Sequence, residues 1–295
     1  MTDDLSGTSS RLMLDGLAPG FDYNKAEPSA ALVGRTVVLV DDRGTRIIHN
    51  FDTRTVRWTY LPGVGDEIPE SSGEDPYEAF GVAEGLVYAQ FHHVHLPFEA
   101  VSLVLDFVSG RALSVINVVR EPEPGRTRVR QVFVSSSIEG IETTVLAPAL
   151  STALVGRRVL WEYSPEQAYE HVHLSPNRFS WQCLAGPEEG LADTDECTSY
   201  ELRPGIFVFA WREKVIPCAS VTVADHRDIH SLRAHGVLFG LDRSGTEPIH
   251  FTFGTVGKLL SNTVYPTEFD PSRQSRSGGR FGSDESDPGR RVFFG

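Results

Sequence analysis

The sequence predicts an all-β protein made of two related antiparallel β-barrels in tandem, and three observations predict it. The first is an internal repeat: "ALVGR" stands at residues 31–35 and again at residues 153–157. Gly34 and Gly156 are 122 positions apart, as are His49 and His171, while Trp58 and Trp181 are 123 apart. After one loop of different length, Gly85 and Gly205, and Pro97 and Pro217, both stand 120 apart. A near-constant offset of this kind marks a duplicated structural unit. The second observation is that each half breaks into eight short segments, apolar or alternating. The third is that Gly-containing connections such as "DRG", "AEG", "VSG" and "DRSGTEP" divide them, as antiparallel hairpins require.

In order, the first half supplies "TVVLVDD", "TRIIHNF", "TVRWTYL", "YEAFGVA", "LVYAQFHH", "EAVSLVLDF", "RALSVINVV" and "VRQVFVSSS". The second supplies "RVLWEY", "AYEHVHL", "RFSWQCL", "TSYELR", "IFVFAWREK", "CASVTVAD", "SLRAHGVLFGL" and "PIHFTFGTVGKLL". Eight antiparallel strands can close on themselves, which removes both sheet edges and leaves an interior filled by side chains or by one small ligand. The predicted domains are residues 20–148 and 149–266, followed by a disordered tail over 267–295, where Ser, Gly and Arg dominate. A single sandwich built from both halves is the structural alternative.

The chain has 295 residues, with 40 acidic against 27 basic residues and a formal charge of -13, a field that repels phosphate backbones and anionic membranes. Nucleic acid and membrane are therefore excluded as expected partners. No run approaches the ~18 apolar residues of a membrane span, and "MTDDLSGTSSRL" is acidic and polar where a signal peptide is basic and then apolar. A cytoplasmic location is expected. Cys183, Cys197 and Cys218 form an odd set without C-x-x-C spacing and read as buried free thiols.

The block "NRFSWQCLAGPEEGLADTDECTSYEL", with "GIFVFAWREKVIP" and "TVGK", resembles the MoaF family, named for molybdenum cofactor biosynthesis protein F. "ALVGRTVVLVDDRGTRIIHNFDTRTVRW" resembles the N-terminal half of that family, so the likeness covers most of residues 20 to 260. The resemblance implies a calycin, lipocalin-like barrel in two related halves, and a role in molybdenum cofactor biosynthesis. It supplies no catalytic residues to carry over. The chain has no Gly-rich phosphate loop, G-x-S-x-G elbow or nucleotide fingerprint, and no cofactor is expected.

Chemistry is sought where alternation brings ionisable groups to an aromatic face. In "GIFVFAWREK" one face carries Phe207, Phe209, Trp211 and Glu213. A carboxylate ending an aromatic row matches the mouth of an apolar pocket, where low dielectric suits a general acid or base. Glu213 and His171 are the candidate catalytic residues, and Tyr88, Trp181, Phe209 and Trp211 the candidate ligand walls. "FHHVHLPFE" places His93, His95 and Glu99 in H-x-H-x-x-x-E, with both histidines on one strand face, a weaker metal-ligand candidate. Asp193, Asp195 and Glu196 in "GLADTDEC" are expected in a solvated loop after a tryptophan strand.

Three functions compete. The leading one is a cofactor-independent isomerase, cyclase or lyase acting on a small apolar or aromatic metabolite. The second is a barrel that holds such a ligand unchanged. The third is an assembly protein whose outer apolar row, Ile206, Val208 and Ala210, forms a homodimer.

Overall fold

The computed structural model describes residues 12–66 and 69–273. Contacts divide these into two compact units, one made of residues 27–118 and 131–148, the other of residues 12–26, 119–130 and 149–273. Among them no helix is long and apolar enough to cross a membrane.

The first unit is built on a closed barrel of β1 (Thr36–Val40), β2 (Arg46–Phe51), β3 (Thr55–Leu61), β4 (Ser71–Ala83), β5 (Leu86–His92), β6 (Glu99–Asp106), β7 (Arg111–Val119) and β8 (Val129–Ile138). Each strand pairs antiparallel with the next along the ring, and β8 returns to β1 through Leu39↔Ile138 and Val40↔Ser137. Alternation decides what lies inside. In "TVRWTYL" Val56, Trp58 and Tyr60 are buried while Arg57 faces water. Phe51, Phe91, Val101, Leu103 and Leu105 join them in the lumen.

The second unit repeats the design with β10 (Arg157–Ser164), β11 (Gln167–Ser175), β12 (Arg178–Ala185), β13 (Ala192–Arg203), β14 (Ile206–Arg212), β15 (Cys218–Asp225), β16 (Leu232–Leu241) and β17 (Pro248–Asn262). Here β10 pairs with β17, and the ring closes where the first half of β13 meets β12, from Arg178↔Glu196 to Gln182↔Ala192. The second half of β13 carries a ninth short strand, β9 (Ala149–Leu150), outside the ring. Two closed rings rule out the single sandwich. Turn glycines recur at equivalent corners: Gly85 has φ 64 and Gly205 φ 78, left-handed backbone that favours glycine. Cys183, Cys197 and Cys218 are buried free thiols. Ile206, Val208 and Ala210 are buried too, so the outward row of β14 is not the exposed face expected for a dimer.

Two further expectations are corrected. The "ADTDEC" stretch is the start of β13, where Asp193 and Asp195 pair across to β12. Asp195 is 1% exposed, because its carboxylate has a buried partner described below. A helical turn, α1 (Leu14–Leu17), packs Leu14 and Leu17 into the core of the second barrel, and Phe21 follows them. Of the stretch read as a disordered tail, residues 267–273 form two 3-10 turns, Thr267–Phe269 and Pro271–Arg273, with Pro271 buried and the second turn against β11. The remaining tail lies outside the described residues.

Candidate active site in the second barrel

On β11 the inward row is Tyr169, His171 and His173; on β12 it is Phe179, Trp181 and Cys183. Register sets His171 directly opposite Trp181. On β14 Phe207 and Phe209 point inward, and the strand ends at Arg212, so Glu213 begins the turn that follows. Its N–H donates to Cys218 O at 2.9 Å, and the side chain is buried. Arg212 turns the other way, toward Glu196 at 3.6 Å.

His171, Trp181, Trp211 and Glu213 converge on one cavity, which encloses about 450 Å³ of space including its open mouth. Aromatic rings supply most of the remaining wall, among them Tyr163, Tyr169, Phe179 and Phe253. Phe209 lines a second, inner cavity, which encloses about 330 Å³ of space including its opening, and His171 and Tyr163 border both. Tyr88 is not part of this arrangement: it belongs to the other unit, buried on β5 with its hydroxyl 3.1 Å from Ser102 Oγ.

Of the wall residues that escaped the sequence reading, three stand outside the strands of this barrel. Leu17 and Phe21 come from the segment that precedes the first barrel. Glu188 comes from the β12–β13 turn, where it is 4% exposed and accepts from Leu12 N–H at 2.9 Å and from Tyr169 O–H at 3.4 Å. Burial and that carboxylate push the Tyr169 phenol well above its ordinary value, so it stays a neutral donor.

Beside the cavity sits a polar pair that both barrels carry. Trp181 Nε1–H donates to Asp195 Oδ2 at 2.9 Å, and Lys214 N–H to Asp195 Oδ1 at 3.2 Å. In the first barrel Trp58 Nε1–H donates to Asp75 Oδ2 at 2.7 Å, and Val94 N–H to Asp75 Oδ1 at 2.7 Å. The copies differ at one place. His93 Nδ1 lies 2.7 Å from Asp75 Oδ2, whereas the residue 120 positions later is Glu213. Burial alone would raise Asp75, but the bonds from His93, Val94 and Trp58 outweigh it and hold its carboxyl below the usual range. Asp195, with no histidine at that place, is raised by burial. The second barrel thus gathers acidic groups where the first has a hydrogen-bonded Asp–His pair.

His171 is 8% exposed, and burial lowers its pKa to about 3. Its ring packs against Phe179 at 5.2 Å, and Nδ1 has no hydrogen-bond partner among the described residues. At neutral pH it is an uncharged imidazole, with one N–H donor and one lone pair. His49, its counterpart, is likewise lowered to about 4 by burial.

The weaker metal candidate separates. β5 ends at His92; His93 is buried against Asp75, and His95 lies on an exposed bend. Glu99 is buried at the start of β6, where desolvation pushes its carboxyl up to about 7. No metal-binding group of three or more His, Cys, Asp or Glu side chains forms among the described residues.

Comparison with known proteins bears on both halves. Residues 10–121 match the MoaF N-terminal domain, and residues 148–263 the MoaF C-terminal domain. The chain is 35% identical over 147 residues to Protein MoaF of Klebsiella aerogenes, covering 48% of this chain and 54% of that protein. The match therefore spans about half of that relative's own length. Among solved structures, a putative beta-lactamase from Burkholderia vietnamiensis aligns with a TM-score of 0.31 at 15% identity, over 39% of this chain and 98% of that one. With the MoaF N-terminal and C-terminal domains matched in order along the two halves, the chain belongs to the MoaF family.

Proposed function

We propose that the second barrel binds a small aromatic or apolar metabolite and converts it by proton transfer, without a bound cofactor, as an isomerase, cyclase or lyase. One observation carries this reading: Glu213 and His171 border the same aromatic-walled cavity. In an isomerisation Glu213 would take a proton from one substrate atom and return it to another, leaving atoms and charge balanced. His171, uncharged at neutral pH, would donate its N–H to the oxygen on which negative charge develops, as a neutral imidazole does in pre-organised sites. Trp181 and Trp211 would stack on the substrate body.

Native mass spectrometry of freshly purified protein identifies a retained organic ligand, and related compounds are then assayed for conversion. With a substrate in hand, Glu213→Gln should lower kcat by about 10²–10⁴-fold while leaving KM within a few fold. Turnover unchanged in both Glu213→Gln and His171→Ala would sink the assignment.

Binding without conversion is the second reading, and the placement of Leu17 and Phe21 in the cavity wall favours it, since a covered pocket retains its ligand. It predicts a persistent complex and no product. The family name adds a role in molybdenum cofactor biosynthesis, which molybdoenzyme activity in a strain lacking the protein would test.

A further inference from the structure

The inner cavity differs in chemistry from the outer one. His171, His173 and His226 line it, with Phe209, and none of its lining residues is acidic. Behind His226 stands Arg157, the first residue of β10, whose Nη1–H donates to His226 Nδ1 at 3.0 Å. A guanidinium is always protonated, so Nδ1 must be the lone-pair nitrogen, and the proton of neutral His226 sits on Nε2. Arg157 thereby fixes His226 as a donor and places a positive charge one ring behind the cavity. The guanidinium itself rests 5.6 Å over the Phe207 ring. His171, on the boundary between the cavities, keeps a buried Nδ1 with no partner among the described residues.

We propose that this inner end seats a carboxylate, so that the ligand of the second barrel is an aromatic or apolar acid, its carboxylate toward His226 and His171 and its body toward Trp181 and Trp211. The proposal rests on the reading that this barrel holds a small molecule, and adds the chemical class.

The electrostatics of the unliganded chamber agree. His173 is held well below its ordinary value by burial first, then by His171, His226 and Arg157. His226 is lowered to about 4 by burial and by Arg157. At neutral pH these imidazoles are uncharged, and the Arg157 guanidinium behind His226 supplies the positive potential that a bound anion would meet. Two carboxylates act from nearby: Asp225, engaged by Arg227 at 2.6 Å, opposes the lowering of His226, and Glu201 acts on Arg157. Tyr163 is the remaining titratable group on the wall, and burial keeps its phenol neutral. A carboxylate arriving here would accept from the Nε2–H of His226, whose imidazole the Arg157 bond keeps neutral, so binding at pH 7 should move almost no proton.

The test uses the full chain and two probes of equal shape, 2-naphthoate and 2-naphthamide, titrated calorimetrically at pH 7 in two buffers of different ionisation enthalpy. The expected result is that naphthoate binds at least about tenfold tighter, the size of a good charge-assisted bond, with the same enthalpy in both buffers. Arg157→Met and His226→Phe should each bring naphthoate down to the level of naphthamide in the same variant, while an unchanged circular-dichroism spectrum shows that the variants fold. Naphthamide binding as tightly as naphthoate would overturn the carboxylate seat while leaving the small-molecule reading standing. A preference for naphthoate that survives both variants would overturn its location, and binding of neither probe would count against both readings.

Discussion

Replacing Asp75 and Asp195 by asparagine, one at a time, tests whether the duplicated Trp–Asp pair has diverged as the geometry indicates. In the first barrel the Asp75 carboxylate is 2% exposed and accepts from Trp58, His93 and Val94, each at 2.7 Å. An amide keeps one acceptor oxygen for Trp58 and His93 and turns its NH₂ toward the Val94 N–H, leaving that donor unsatisfied. One orphaned buried donor costs about 1–3 kcal/mol, and two bonds reduced from charge-assisted to neutral cost about 1 kcal/mol each. Asp75→Asn should therefore cost about 3–5 kcal/mol. Among the described residues Asp195 accepts from Trp181 at 2.9 Å and Lys214 at 3.2 Å, and burial already favours its neutral form. Losing the longer bond should cost about 1–2 kcal/mol. Hydrogen exchange read by mass spectrometry separates the copies, because peptides from β3 to β5 report one and peptides from β12 to β14 the other. The asymmetry also carries a sign in pH. With its folded pKa depressed, the contribution of Asp75 is complete above the unfolded carboxylate range and is lost as pH falls through the folded value. A cost for Asp195→Asn equal to or above that for Asp75→Asn would refute the reasoning.

Other outcomes follow from buried groups and close approaches. His49, His171 and His226 are lowered to about 4, 3 and 4 from 6.5, so between those values and 6.5 the unfolded chain binds more protons. Stability should thus be full above that window and fall on acidification through it, by up to about 1.4 kcal/mol per pH unit for each histidine. Urea titrations at several pH values would show this, His49→Phe should flatten the slope, and a flat wild-type profile would contradict it. A Cβ on Gly254 would lie 2.3 Å from Asn24 O and 2.5 Å from Lys25 Cα, both backbone atoms that must move. Gly254→Ala should lift this segment off β17, weaken the Asn24 Nδ2–Glu162 O bond of 2.9 Å, and speed proteolysis around residues 18–26. Unaltered cleavage would show that the segment accommodates the methyl group in place.

The strands were legible because alternation is a local property. "TVRWTYL" and "RFSWQCL" declare an inward row without reference to the rest of the chain, and hairpin glycines mark their ends. Trp211 and Glu213 were assigned to one face by the same rule, and His171 and Trp181 line one cavity with them. Tyr88 fails it, because parity cannot say which face of a strand looks inward when Leu86 through Phe91 are all buried. Asp75 was missed, and Asp195 assigned to a loop, for the opposite reason. "SSGEDP" and "ADTDEC" carry polar residues on both faces, so composition reads as loop although each is strand. The repeat held the missing signal: Asp75 and Asp195 are 120 positions apart, the same offset as His93 and Glu213. Leu17, Phe21 and Glu188 could not be reached by periodicity, because their places depend on contacts far apart in the chain.

The bond from Leu12 N–H to Glu188 joins residues 176 positions apart. During synthesis the segment carrying Leu14, Leu17 and Phe21 emerges before either barrel, yet its docking surface is complete only after β17 has been made. The intervening barrel can fold while this segment waits unsatisfied, exposing leucine and phenylalanine meanwhile. Closing so long a loop costs little more than closing a moderate one, because the entropy grows only logarithmically with length, but the delay falls on kinetics. A C-terminal half produced alone would lack this staple and would be expected to expose Tyr163, Tyr169 and Phe253, the rings on which Phe21 rests. The second barrel is thus a late assembly, finished by a strip of chain made well before it.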